Sequence, residues 1–175
     1  SLLLIQNFFI APHRKNEERP SARWPWSSSD RVCTSRRKGR TVKTLIRGGN
    51  VITAADDYHA DLLVEDEKIV LVGRHLAVEA DLELNAVGKL VIPGGIDPHT
   101  HMELPAGGTV SSDDFCTGTI AAACGGTTTI VDFATPRHGE SFLQALESRH
   151  RQAEAKSAID YGFHLVVTDF SNERT

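Results

Sequence analysis

From residue 43 onward the chain alternates apolar and polar positions in short runs, and residues 1–42 show no such period. "VKTLIRGGNVITA" reads as two β-rich runs parted by a turn at Gly48-Gly49-Asn50. "ADLLVEDEKIVLVG" reads as a hairpin, with Leu62–Glu65 against Lys68–Val72 around Asp66-Glu67. A tight turn of that kind asks for positive φ and usually glycine at its second position, so Glu67 makes it looser or strained. Short strands without helices continue to about residue 90, which predicts a small β layer.

At residue 88 the pattern changes. "GKLVIPGGID" is a nearly continuous apolar run, as expected of a strand in a parallel sheet with both faces covered. "SSDDFCTGTIAAACGG" predicts a helix with Ser112 as N-cap, Asp113 and Asp114 at the positive end of its dipole, and Gly125-Gly126 as its stop. Cys116, Ile120, Ala123 and Cys124 share one face at helical spacing, which predicts core positions. "TTTIVDFAT" reads as a second buried strand. "SFLQALESRHRQAEAK" reads as a second helix, opened by Ser141 and Gln144 in capping-box spacing. Its stripe runs through Phe142, Leu146, His150 and Ala153, with His150 as a partly buried helix histidine. "IDYGFHLVVTDF" is a third strand. The order β-α-β-α-β over 91–169 predicts an α/β unit with a parallel sheet.

Charge divides the chain the same way. Residues 1–42 hold nine Lys/Arg against three Asp/Glu, and the remainder holds ten against twenty. A domain that acidic is a poor nucleic-acid binder. No apolar run approaches the ~18 residues of a membrane-spanning helix. The cysteines are Cys33, Cys116 and Cys124, with no C-x-x-C pair, so reduced thiols and a cytoplasmic setting are the expectation. The apolar opening "SLLLIQNFFIAP" lacks the flanks of a signal peptide. The Arg- and Ser-rich stretch after it has the composition of a transit peptide, or else of non-native upstream sequence, which is the preferred reading. Residues 1–42 are therefore left outside the fold, 43–90 form the β layer, and 91–175 form the α/β unit.

The candidate chemistry lies in "VIPGGIDPHTHMELP". Residues two apart in an extended strand point the same way, so His99 and His101 project from one face at the C-terminal end of the first parallel strand. Active sites of α/β barrels are built at that end. Two converging neutral imidazoles suit zinc, which takes histidine nitrogens at about 2.0–2.1 Å. A bare H-x-H occurs by chance; its place after a buried strand and Pro-Gly-Gly gives it weight.

"PGGIDPHTHM", followed by "GGTVSSDDFCTGTIAAACGGTTTIVDFA" and "DYGFHLVVTD", resembles the amidohydrolase superfamily and, within it, the dihydropyrimidinase and hydantoinase family. The resemblance runs from about residue 43 to the last residues. It implies a (β/α)8 TIM-type barrel preceded by a small β-sandwich segment, with two zinc ions (Zn2+) at the barrel mouth. It also implies that a hydroxide bridging the metals opens dihydropyrimidine or hydantoin rings to N-carbamoyl amino acids, with an Asp moving the proton. His99 and His101 match the family's first two metal ligands. A small cyclic amide is then the substrate, and a homotetramer the expected assembly, with no nucleic-acid or membrane partner.

The same resemblance implies that the remaining ligands (a carboxylated Lys, two His and an Asp) and the proton-moving Asp lie beyond the end of this sequence. A full barrel takes ~250 residues, far more than remain from residue 91, so the chain reads as an N-terminal fragment, inactive alone. His164 matches a family histidine that is not a ligand. Relatives commonly carry an aromatic after the proline of a loop lining the substrate pocket. Here that loop reads Leu104-Pro105-Ala106, a departure that bears on substrate size. Two alternatives remain. One is a non-catalytic dihydropyrimidinase-like scaffold, against which the retained histidine pair speaks. The other is a cyclic amidohydrolase of the allantoinase or dihydroorotase type, which shares the H-x-H but carries a different segment after it.

Overall fold

The computed structural model describes residues 3–5, 8–12 and 41–168. The chain divides into two units, with the boundary between Pro93 and Gly94. The first unit holds seven strands among the described residues: β1 (Leu3–Ile5), β2 (Phe8–Pro12), β3 (Lys43–Ile52), β4 (Asp57–Glu65), β5 (Lys68–Gly73), β6 (Leu82–Asn85) and β7 (Lys89–Pro93). They form one mixed sheet in the order β1-β2-β7-β3-β4-β5, with β6 also paired to β3. β1 and β2 lie where the sequence predicts no element. β2 pairs antiparallel with β7, Phe8 opposite Pro93 and Pro12 opposite Lys89. A strand of five residues is too short for alternation to show in sequence, and backbone pairing alone suffices to recruit it.

The hairpin between β4 and β5 forms as predicted, with Leu62 opposite Val72 and Glu65 opposite Lys68. Positive φ falls on Asp66 (54°) rather than on Glu67, and aspartate tolerates the left-handed region better than most residues. Ile46, Val51, Leu62, Val64 and Val91 are at most 3 % exposed and pack into one cluster with Ala60 and Ala86.

Gly48-Gly49-Asn50 is not a turn. β3 runs through it unbroken, and the register against β4 shifts between Ile46 and Gly49, a β-bulge. Gly48 takes φ 67°. A Cβ on Gly49 would stand 2.5 Å from Val91 Cγ2, so two strands approach too closely there for any side chain. Asp61 on β4 holds the bulge: Gly48 N–H donates to its Oδ1 at 2.8 Å, and Leu76 N–H donates to its Oδ2 at 2.9 Å. Arg47 stands 3.7 Å from the same carboxylate and forks onto Glu83.

Burial alone would raise the Asp61 carboxyl, but the amides of Gly48 and Leu76 and the Arg47 guanidinium outweigh it and hold the group below its ordinary value. A depressed folded value means that its stabilisation is complete above the unfolded value, near ~3.9. The stabilisation is lost as pH falls through the folded value. Asp61→Asn is therefore expected to cost about 1–3 kcal/mol at pH 7, since one half-buried amide loses its acceptor. The gap to the parent should narrow below about pH 4. Urea unfolding of both proteins across that range checks the sign.

The second unit contains β8 (Gly95–Asp97), the small hairpin β9 (Pro105–Ala106) and β10 (Thr109–Val110), α1 (Phe115–Gly125), β11 (Thr127–Ala134), α2 (Phe142–Glu154) and β12 (Asp160–Leu165). β8, β11 and β12 form a parallel three-stranded sheet in the order β12-β11-β8, with α1 and α2 as crossovers. The predicted β-α-β-α-β order is thus present among the described residues, as a mixed α/β unit rather than a closed barrel.

The run 88–97 is two strands rather than one. Lys89–Pro93 belongs to the first sheet and Gly95–Asp97 to the second, so the boundary falls three residues later than the pattern predicts. A Cβ on Gly94 would collide with the Thr128 side chain, and only glycine passes that point. β8 is also exposed, with Ile96 at 67 %, where a buried strand is predicted.

α1 starts two residues later than Ser112 predicts, because Asp114 is the cap. Its carboxylate accepts from Thr117 N at 2.8 Å while the Thr117 hydroxyl accepts from Asp114 N at 3.1 Å. Its buried residues are Phe115, Gly118 and Thr119, so the predicted stripe faces the wrong way. Ile120 is 43 % exposed, Cys124 is exposed and Cys116 half-buried, both as free thiols. The segment "FCTGTIAAACG" is small or apolar on every side, and periodicity has no direction to report.

α2 carries the predicted Ser141–Gln144 capping box. Ala145 and Ala153 are its buried residues; His150 is exposed, its Nδ1 3.3 Å from the Tyr161 hydroxyl. Among the described residues no helix is long and apolar enough to cross a membrane.

Candidate functional site

β8 ends at Asp97, and the chain remains extended just beyond it because Thr100 N donates to Val131 O on β11 at 3.0 Å. His99 and His101 flank that bond, and both are exposed. Their Nε2 atoms lie 3.1 Å apart. Both rings rest on Phe133, with centroids at 4.6 and 4.9 Å. One of the facing nitrogens must carry a proton to bond the other; if both present lone pairs, a cation between them offsets the repulsion. The spacing is within reach of two nitrogens each ~2.0–2.1 Å from one zinc ion.

His164 sits opposite Phe133 in the parallel register of β11 and β12, and its ring packs on the same phenyl group at 4.9 Å. Its Nε2 is 2.8 Å from Pro98 O. A carbonyl only accepts, so that nitrogen is protonated and spent on the backbone. The Asp97 carboxylate accepts from His99 N at 3.1 Å. His99, His101, Phe133 and His164 thus form one cluster at the end of the parallel sheet.

β11 alternates between two faces. Thr128, Ile130, Asp132 and Ala134 are buried, while Phe133 and its odd-numbered companions lie on the other side. Asp132 is fully buried, and the apolar pattern of the strand does not single it out as a site residue. Its Oδ2 accepts from Met102 N at 2.7 Å and from the Thr100 hydroxyl at 3.3 Å. Its Oδ1 accepts from Arg149 of α2, from Nη2 at 2.7 Å and from Nε at 3.2 Å. Arg149 also donates to Met102 O and lies over the Phe115 ring at 4.7 Å. A visible signal was present: one acid inside the apolar run "TTTIVDFAT" needs a partner if that run is a core strand.

Leu104, Pro105 and Ala106, predicted as a substrate loop, enter the β9–β10 hairpin. Ser111 ties this hairpin to the histidine segment. Its hydroxyl accepts from Leu104 N at 2.8 Å and donates to His101 O at 3.2 Å. Glu103 pairs with Lys156 at 2.5 Å, and that bond, reinforced by Asp114, raises the Lys156 ammonium above its ordinary value. No group of three or more His, Cys, Asp or Glu side chains able to hold a metal occurs among the described residues. The histidine pair fits two positions of a zinc shell and leaves the others to be supplied.

No protein-family model matches the chain. It is 50 % identical over 129 residues to a D-hydantoinase of Geobacillus stearothermophilus, covering 74 % of this chain and 27 % of that protein. It is 46 % identical over 136 residues to a dihydropyrimidinase of Rattus norvegicus, covering 75 % and 26 %. The solved dihydropyrimidinase of Brevibacillus agri superposes with a TM-score of 0.72 at 50 % identity, covering 75 % of this chain and 28 % of that one. The chain spans just over a quarter of the length of these relatives. Across three quarters of its own length, in sequence and in fold, the chain belongs to the D-hydantoinase and dihydropyrimidinase family.

Proposed function

We propose that the complete protein carrying this chain is a zinc-dependent cyclic amidohydrolase that opens dihydropyrimidine or hydantoin rings to N-carbamoyl amino acids. The observation that carries this reading is the pair of exposed Nε2 atoms, His99 and His101, 3.1 Å apart over Phe133. Kinship with hydantoinases and dihydropyrimidinases supports the substrate class. When bound there, zinc supplies an acidified water and a polarised amide carbonyl. The chain's part is to hold the ion on one side through the two imidazoles and to keep an apolar floor, Phe133, beneath them. Asp97 and Pro98 fix the entry to the segment through His99 N and His164. The β9–β10 hairpin, tied in by Ser111, is the proposed edge of the substrate pocket. Following the family resemblance, the remaining ligands and the proton-moving Asp come from other parts of the complete protein, which works as a cytoplasmic homotetramer.

The test is an assay of the complete protein with dihydrouracil and with hydantoin, following the N-carbamoyl product. Activity is expected with at least one ring, loss on dialysis against a zinc chelator, and recovery when zinc is returned. Absence of product from both rings at full zinc occupancy refutes the substrate class. Activity that survives complete zinc removal refutes the metal role.

A further inference from the structure

We propose that the buried Asp132–Arg149 pair is a positioning device that holds His99 and His101 converged before any ion arrives; this rests on reading the two histidines as metal ligands. The pair does more than pin α2 to β11. Asp132 takes the Thr100 hydroxyl and the Met102 amide, and Arg149 takes the Met102 carbonyl. The residues on both sides of His101 are therefore anchored to one ion pair, and His99 precedes the first of them.

Asp132 is fully buried and the Arg149 side chain is 12 % exposed. Arg149 is held from several directions, by Asp132, by Gln152 Oε1 at 2.8 Å and by the Phe115 ring. Its fork cannot rotate without breaking several contacts at once. A buried ion pair is a poor source of net stability, because apolar residues of similar volume often serve as well. Here it aims one acceptor oxygen, Asp132 Oδ2, and one donor, Arg149 Nη2, at a segment that has no regular structure of its own. In the state that binds metal both facing nitrogens present lone pairs, and two imidazoles on a free segment would then diverge. Held by the pair, they stay 3.1 Å apart.

The test compares the complete protein with Asp132→Asn/Arg149→Met, which removes both charges together so that neither is left buried alone. Thr119→Val serves as control. It removes a buried hydroxyl that accepts from Ala158 N at 2.9 Å, in the same unit but away from the histidines. Two readouts are taken: hydrogen exchange of the peptide 98–104 in metal-free protein, and affinity for cobalt(II) as a zinc surrogate. The double variant is expected to melt cooperatively, to exchange faster over 98–104, and to lose cobalt affinity roughly tenfold or more. Thr119→Val should lower the melting temperature and change neither readout.

A folded double variant that binds cobalt within twofold of the parent overturns the proposal. Should the double variant not fold, Arg149→Lys is read in the same way, since lysine keeps the charge opposite Asp132 but loses the planar fork that also reaches Met102 O. If the parent binds no cobalt, the metal reading fails by itself. Faster exchange in the variant then still supports the positioning role, and unchanged exchange overturns it.

Discussion

Replacing His99 and His101 together by alanine in the complete protein is expected to abolish both bound zinc and ring opening. Loss of one outer partner of a metal site typically costs 10–100-fold, and two ligands removed at once should exceed that. The effect should be specific to the facing nitrogens. His164 packs on the same Phe133 ring, yet its Nε2 bonds Pro98 O. His164→Ala should therefore keep zinc stoichiometry and lower stability by about 1 kcal/mol, the worth of one such bond. Elemental analysis of the purified variants decides the matter: zinc content unchanged in the double variant would falsify the ligand assignment.

The 175-residue chain, prepared alone, is expected neither to turn over dihydrouracil or hydantoin nor to hold zinc tightly. A catalytic zinc site takes three protein ligands plus water, and the described residues bring together only the histidine pair. Among the described residues of the second unit, β8 and β12 are edge strands, each paired on one side by β11. Ile96 and Val110 are 67 % and 54 % exposed. Open edges and exposed apolar groups favour association between copies, so poor solubility is expected as well. Ring opening assayed with added zinc at neutral pH is the measurement. Turnover within an order of magnitude of the complete protein would require ligands from another source, such as a second chain.

Local features were legible in the residues themselves. The β4–β5 hairpin, the Ser141–Gln144 cap and the β-α-β-α-β order each depend on neighbours a few positions apart, and their periodicity or spacing reports them directly. The convergence of His99 and His101 follows from the same short-range rule. The family kinship was readable too, from the block around "IDPHTHM".

What only the tertiary structure decided involves residues far apart in sequence. Gly48-Gly49 became a bulge because Val91 and Ala86 crowd β3 there and Asp61 captures the Gly48 amide. The run 88–97 broke at Gly94 because Thr128 occupies the space a side chain would need. α1 turned its Thr119 inward because that hydroxyl accepts the Ala158 amide, an attraction no stripe of small apolar residues can announce. Asp132 and Arg149, seventeen positions apart, meet around Met102 because α2 brings Arg149 to the buried face of β11 that carries Asp132. Period and capping are properties of a segment, whereas the choice of face, the break between sheets and the partner of a buried charge are set by what the rest of the chain places beside it.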